Sequence, residues 1–238
     1  MLPAETPKNG RLIPAERLFD EIASTYDLLN RLLSLGLDRG WRRQAVRALT
    51  PFQPRRILDL ACGSGDLAVA ALALDPESIT AADTSPRMLE IAAAKIAGNR
   101  KGRRVTLVLA AAEALPFADG SFDAVIVGFG VRNFSDLSRG LAEIYRVLGP
   151  GGVAVILEFS RPRHNLLARL HGFYLRCVLS RVGGLVSGNR AAYAYLARSI
   201  LAFPHEDEFT ALLAAANFAN TTCRRLSFGI CSVYRAVK

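Results

Sequence analysis

Residues 56–70 read RILDLACGSGDLAVA: an apolar run containing Asp59, a turn built on Gly63 and Gly65, and helix-forming residues with no gap between. A strand that passes so directly into a helix lays that helix back over the sheet, and the following strand then runs parallel to the first. The alternation continues. SITAAD (78–83) reads as a strand, 86–97 as a helix opened by Ser85 and Pro86, and RRVTLVLA (103–110) and FDAVIVGFG (122–130) as two more strands. A helix over 136–148 then leads into GGVAVILEF (151–159), a fifth strand. Unbroken apolar runs of this kind suit a parallel sheet covered on both faces. After a helix over 206–216, NTTCRRLSF (220–228) and ICSVYRAVK (230–238), joined through Gly229, predict a closing antiparallel pair. The expected fold is therefore α/β: a doubly wound, mostly parallel, seven-stranded sheet that takes its ligands at the carboxyl ends of its strands.

Before this alternation, apolar residues recur at helical spacing (Leu18, Ile22, Leu29, Leu32, Leu33), with breaks expected near Gly36 and Gly40. Residues 1–50 read as an N-terminal helical lid region, and 51–238 as the main body with a basic helical insertion over 163–204, effectively one domain. The net charge of +9 predicts an anionic partner. Seven of the arginines (161, 163, 169, 176, 181, 190, 198) fall between Arg161 and Pro204 with no Asp or Glu among them. Within that stretch Leu166, Leu170, Phe173, Cys177 and Ser180 form one stripe. A basic amphipathic helix of this kind can lie on an anionic lipid surface or roof an apolar pocket; a helix packed on the sheet with a solvated basic face fits the pattern as well. No aromatic and basic interleaving points to a nucleic-acid platform, so no nucleic acid is expected. The four cysteines show no metal-ligand spacing, so no metal is expected, and they read as reduced, mostly buried thiols. There is no signal peptide and no spanning apolar run, which predicts a cytoplasmic chain able to sit at the inner face of a membrane. An exposed apolar surface could equally serve a homodimer.

The glycine turn admits three readings. Gly63-Ser64-Gly65-Asp66-Leu67-Ala68, with Asp83 twenty residues beyond Gly63, fits a dinucleotide fingerprint. A phosphate loop is disfavoured because no Gly-Lys-Ser/Thr follows. Asp59 just ahead of the turn would repel a pyrophosphate, yet it suits a cationic ligand carrying an ammonium and a sulfonium. In the plainest reading the glycines only turn the chain and both aspartates are caps.

Taken with AAAEALPFADGSFDAVIVG after the third strand and YRVLGPGG before the fifth, the turn resembles that of class I S-adenosylmethionine-dependent methyltransferases. FDEIASTYDLLNRLLSLGLDRGWRR (19–43), FGVRNFSD (129–136), VLGPGG…ILEFSRP (147–162) and YAYLARSILAFP (193–204) narrow this further. They are similar to the ubiquinone/menaquinone biosynthesis C-methyltransferase family over nearly the whole chain. The resemblance implies C-methylation of a polyprenylated quinol ring, demethylmenaquinol or the benzoquinol precursor of ubiquinone. Other substrates of the same fold, another lipid or phenolic compound or an RNA, are the alternative, and a dehydrogenase would instead bind a nicotinamide cofactor.

The resemblance also implies roles. Gly63, Ser64 and Gly65 lie at the methionine moiety of S-adenosylmethionine with Asp59 close by, Asp83 at the ribose, and Ala111 and Ala112 beside the adenine. The family usually has an Asn or Asp at the first of that last pair, so here the polar contact must come from backbone or elsewhere. Arg132 is expected to stabilise the ring oxyanion and orient a deprotonating water, with Asn133 positioning; a surface salt bridge is the plainer role for Arg132. Tyr26 and Asp27 would fold over the cofactor. His171 could act as a base by its pKa but reads better as a solvated or packed residue, and Glu158 reads as structural.

Overall fold

The computed structural model describes Ser34, residues 36–160 and residues 190–238. Tyr26, Asp27, His171 and the apolar stripe from Leu166 to Ser180 lie outside the described residues, as do most of the lid and insertion expected from the sequence.

Helix α1 (Asp38–Leu49) precedes β1 (Arg56–Leu60), α2 (Asp66–Ala71), β2 (Ser78–Asp83), α3 (Pro86–Ala97), β3 (Val105–Leu109) and β4 (Phe122–Gly128). Then follow α4 (Leu137–Val147), β5 (Leu148–Phe159), α5 (Arg190–Ala202), α6 (Glu206–Ala215), β6 (Ala219–Leu226) and β7 (Cys231–Val237). The strands form one seven-stranded sheet in the order β3-β2-β1-β4-β5-β7-β6. Pairing is parallel from β3 to β5, and β7 runs antiparallel to both β5 and β6. The strand order reverses between β1 and β2 on one side and β4 on the other, so their carboxyl ends open a crevice.

Alternate residues of each strand face opposite layers. Ile57, Ile79, Ile126 and Val155 pack with Trp41, Ala45 and Leu49 of α1 and Leu67 and Ala71 of α2. Leu58, Val125, Val127 and Ile156 pack on the other face with Leu141 and Ile144 of α4 and Phe209 and Leu213 of α6. Truncating a fully buried Leu or Ile here to alanine would cost about 2–5 kcal/mol. Capping follows the sequence: Ser85 Oγ accepts from Met88 N at 3.0 Å, and Asp136 Oδ1 accepts from Arg139 N at 3.0 Å.

Two expectations need correction. Gly40 does not break a helix but lies inside α1, whose apolar face on the sheet outweighs the roughly 1 kcal/mol a helical glycine costs. The fifth strand begins at Leu148, not Gly151, because Leu148 pairs with Phe122 before a register shift carries the strand through its glycines. The cysteines described agree with mostly buried thiols: Cys62 and Cys231 are buried, and Cys223 is exposed on the edge strand β6. Among the described residues, no helix is long and apolar enough to cross a membrane.

Candidate active site

The loops that follow β1 and β4 form the floor of the crevice, and both are strained. Ala61 has φ +54° and Phe129 has φ +60°, left-handed conformations that cost a side-chain-bearing residue energy. Gly130 is required between them, since a Cβ there would stand 2.5 Å from Ala61 Cβ. Gly65, at φ +79°, opens α2, and a Cβ on it would press Ala92 of α3 at 3.1 Å. The glycines thus bring α3 close to the turn and the β4 loop close to the β1 loop.

Asp83, the last residue of β2, ties the turn in place. Its Oδ2 accepts from Gly63 N at 2.8 Å and its Oδ1 from Ser85 N at 2.9 Å. Ser64 Oγ accepts from Lys95 Nζ at 3.0 Å, and Lys95 also pairs with Asp66. Arg42 of α1 pairs with Asp38 and reaches Asp66 at 3.6 Å.

Asp59 is different. It has no exposed surface, and neither carboxylate oxygen finds a hydrogen bond among the described residues. Burial is the chief force that pushes its pKa up to about 8. Asp83 and Asp66 raise it further, while the Ala68 amide and Arg42 pull it down. The Ala68 N–H faces the carboxyl without closing a bond of ordinary geometry. An orphaned buried carboxyl beside a glycine turn is a group prepared for a cation.

The sequence-predicted cofactor residues therefore converge: Asp59, Gly63, Ser64, Gly65 and Asp83 share one crest. Ala111 and Ala112 follow β3, joined to β2 through Ala110 N donating to Asp83 O at 3.0 Å. Ala112 is buried and Ala111 half-buried, in an isolated bridge with Ala114.

Arg132 and Asn133 lie in the turn after β4. Arg132 is only 4% exposed, which excludes a surface salt bridge. Its Nη1 donates to Glu158 Oε1 at 2.9 Å and to Phe129 O, and its Nε to Ser199 Oγ at 3.3 Å. Glu158 also accepts from Phe159 N at 2.8 Å. Any direct oxyanion contact would fall to Nη2, which bonds nothing among the described residues. Asn133 is half-buried, and its Oδ1 accepts from Tyr195 Oη at 3.2 Å. Beneath this turn Phe129 and Phe159 stack at 4.6 Å, with Trp41 6.1 Å from each and the Arg132 guanidinium 5.5 Å above Phe159.

Lys95, Arg42, Tyr195 and Ser199 were not singled out from the sequence. Glu158 was, as the residue that ends the fifth strand and matches the family, with a structural role expected; its partner Arg132 was not evident.

The fold is that of known methyltransferases. An S-adenosylmethionine-dependent methyltransferase from Thermotoga maritima superposes with a TM-score of 0.66 at 22% identity, covering 93% of this chain and 99% of that one. Another from Aquifex aeolicus gives 0.58 at 16% identity, over 81% and 88%. Closer relatives are found by sequence. The ubiquinone/menaquinone biosynthesis C-methyltransferase UbiE of Geobacter sulfurreducens is 46% identical over 93% of this chain and 87% of its own length. The demethylmenaquinone methyltransferases of Thermus thermophilus and Bacteroides fragilis are 46% and 41% identical, over 91% and 94% of this chain and 98% and 91% of theirs. A family model described as the ubiE/COQ5 methyltransferase family matches residues 8–238, and the chain is a methyltransferase that belongs to this family.

Proposed function

We propose that this chain transfers a methyl group from S-adenosylmethionine to a ring carbon of a polyprenylated quinol, with demethylmenaquinol the leading substrate. The observation that carries the cofactor assignment is Asp59: a carboxyl with no hydrogen-bond partner among the described residues fits a ligand that brings its own positive charge. The names of the close relatives supply the quinol.

When bound, S-adenosylmethionine supplies an electrophilic methyl group on a sulfonium. The residues present fit it. Asp59 would counter the positive charge of the methionine end, which the glycine turn can approach through backbone. Asp83 accepts from the Gly63 and Ser85 amides, and its carboxylate would accept a ribose hydroxyl at the end of β2. Ala111 and Ala112 offer backbone and small side chains beside the base.

C-methylation replaces a ring hydrogen by a methyl group and releases a proton, and its rate depends on negative charge gathering on a ring oxygen. The chain must therefore hold that oxygen near the carboxyl end of β4 and offer it donors. Arg132 and Asn133 are the polar side chains of that turn. Glu158 keeps Arg132 fixed, and pre-set donors need no rearrangement during reaction. We also assign the basic surface to contact with anionic lipid, where a prenylated quinol is dissolved.

The test is transfer of labelled methyl from S-adenosylmethionine to demethylmenaquinol and, separately, to the benzoquinol precursor of ubiquinone. Label on the ring carbon of demethylmenaquinol is expected. Label on neither quinol overturns the substrate assignment; absence of S-adenosylmethionine binding overturns the cofactor assignment as well.

A further inference from the structure

Helix α5 meets the Arg132–Asn133 pair with two residues one turn apart. Ser199 Oγ accepts from Arg132 Nε at 3.3 Å, and Tyr195 Oη bonds Asn133 Oδ1 at 3.2 Å. Positions four apart share a helix face, so a single element grips both donors of the turn.

The polarity of the second contact matters. An amide oxygen can only accept, so the phenol must donate its proton to Oδ1. Burial raises the Tyr195 pKa, opposed by the positive charges of Arg132 and Arg198, so the phenol keeps that proton through the neutral range. A half-turn of the amide would keep a bond to the phenol only by spending an Nδ2–H on its oxygen, so the observed sense is the one that leaves both Nδ2–H groups for another partner. Its Nδ2 end makes no hydrogen bond among the described residues and is not sealed from solvent. Asn133 thus presents a donor in a fixed sense, while most of the Arg132 guanidinium is committed to Glu158, Phe129 and Ser199.

We propose that Tyr195 is a positioning residue for the methyl transfer: by holding the amide oxygen of Asn133 it turns the Asn133 Nδ2–H groups toward the ring oxygen that gathers negative charge. The proposal rests on the quinol methyltransferase reading above. The substrate oxygen then meets a neutral donor, and Tyr195 acts on the transfer through Asn133.

A double-mutant cycle on the full chain tests it, with demethylmenaquinol and S-adenosylmethionine as substrates. Removing one well-placed oxyanion donor costs about 10²–10³ in kcat, so Asn133→Ala should fall by that factor. Tyr195→Phe keeps the ring and loses one neutral hydrogen bond, and should lower kcat by about tenfold. KM for the quinol and the calorimetric Kd for S-adenosylmethionine should change less than about twofold in either variant. Adding Tyr195→Phe to Asn133→Ala should then cost nothing more, because the residue it acts through is gone. Asn133→Asp, which puts a carboxylate where the ring oxygen becomes negative, should be at least as slow as Asn133→Ala. Multiplying costs in the double variant, or a Tyr195→Phe enzyme with normal kcat, overturns the proposal while leaving the methyltransferase reading intact. A wild type that does not methylate the quinol overturns both.

Discussion

Asp59 has little to gain from ionising until a cation reaches it, because it is sealed from solvent and neither oxygen accepts a well-formed hydrogen bond among the described residues. Its pKa near 8 in the protein stands against roughly 4 in an unfolded chain. Between those values the folded state keeps a proton that the unfolded state has lost. Stability of the cofactor-free protein therefore falls as pH rises across that window and levels off above it. The groups that tune the window are Asp83 at the end of β2, Asp66 on α2 and Arg42 on α1. Asp59→Asn should be the more stable protein at pH 8, by on the order of 2–4 kcal/mol relative to its standing at pH 5, in urea melts at the two values. Binding of S-adenosylmethionine reverses the balance. A cation beside Asp59 favours the carboxylate, so binding at pH 7 should release a proton and affinity should rise toward pH 8. Calorimetry in two buffers of different ionisation enthalpy reads this directly. Heats that depend on buffer in the wild type no more than in Asp59→Asn would sink the idea. Arg132 and Glu158 pose the opposite case, since each is buried and already partnered. Arg132→Ala or Glu158→Ala leaves a buried charge alone and should cost about 3–5 kcal/mol in denaturant melts, while replacing both by leucine should cost well under the sum.

At the scale of elements, strands buried on both faces must be apolar without interruption, and that made β1, β2 and β4 readable; Ser85 and Pro86 marked the start of α3 to the residue. Glycine misled twice, at Gly40 and before Gly151, because it signals a break only where packing does not override it. The crest of the site was legible since Asp59, the glycine turn and Asp83 lie on two successive strand ends. The β4 side was not, because its contacts span the chain: Arg132 meets Glu158 across 26 positions, Asn133 meets Tyr195 across 62 and Arg132 meets Ser199 across 67. No local period records such pairs. The β6–β7 turn carries another feature that sequence could not reveal. Phe228 sits at φ +59°, ψ +24° with 85% of its surface exposed, so it accepts left-handed strain without packing in return. Asparagine tolerates that conformation far better than phenylalanine and does not loosen the unfolded chain as glycine would. Phe228→Asn should therefore stabilise the protein by about 0.5–1 kcal/mol, a rise in Tm of roughly 1–4 °C in calorimetric scans. An unchanged or lower Tm would mean that the aromatic ring is held by something outside the described residues.

For the molecule as a whole, the question is how a cationic protein reaches a substrate dissolved in a bilayer. The excess of nine positive charges is unevenly placed, with seven arginines and no acid between Arg161 and Pro204. On the described surface Arg39, Arg43 and Arg47 of α1 and Arg224 of β6 are exposed as well, and Arg224 donates to Gln44 of α1 at 3.1 Å, so that edge strand and helix share one basic side. Each such charge near an anionic leaflet is worth about 1 kcal/mol, and the attraction dies within a Debye length of about 8 Å at physiological salt. On the proposal that this surface meets anionic lipid, several acting together would give a weak, reversible attachment, strong enough to keep the enzyme where the quinol is and loose enough to let it leave with each turnover. Co-sedimentation should then show binding to vesicles containing anionic lipid at low salt, with little binding to purely zwitterionic vesicles. Raising salt from about 50 to 200 mM should remove most of it, and replacing Arg169, Arg176 and Arg181 by glutamine should weaken it at every salt concentration. Equal binding to both vesicle types would mean that apolar insertion, not charge, carries the contact. Retention on RNA that outcompetes anionic vesicles would assign the basic surface to a nucleic acid instead.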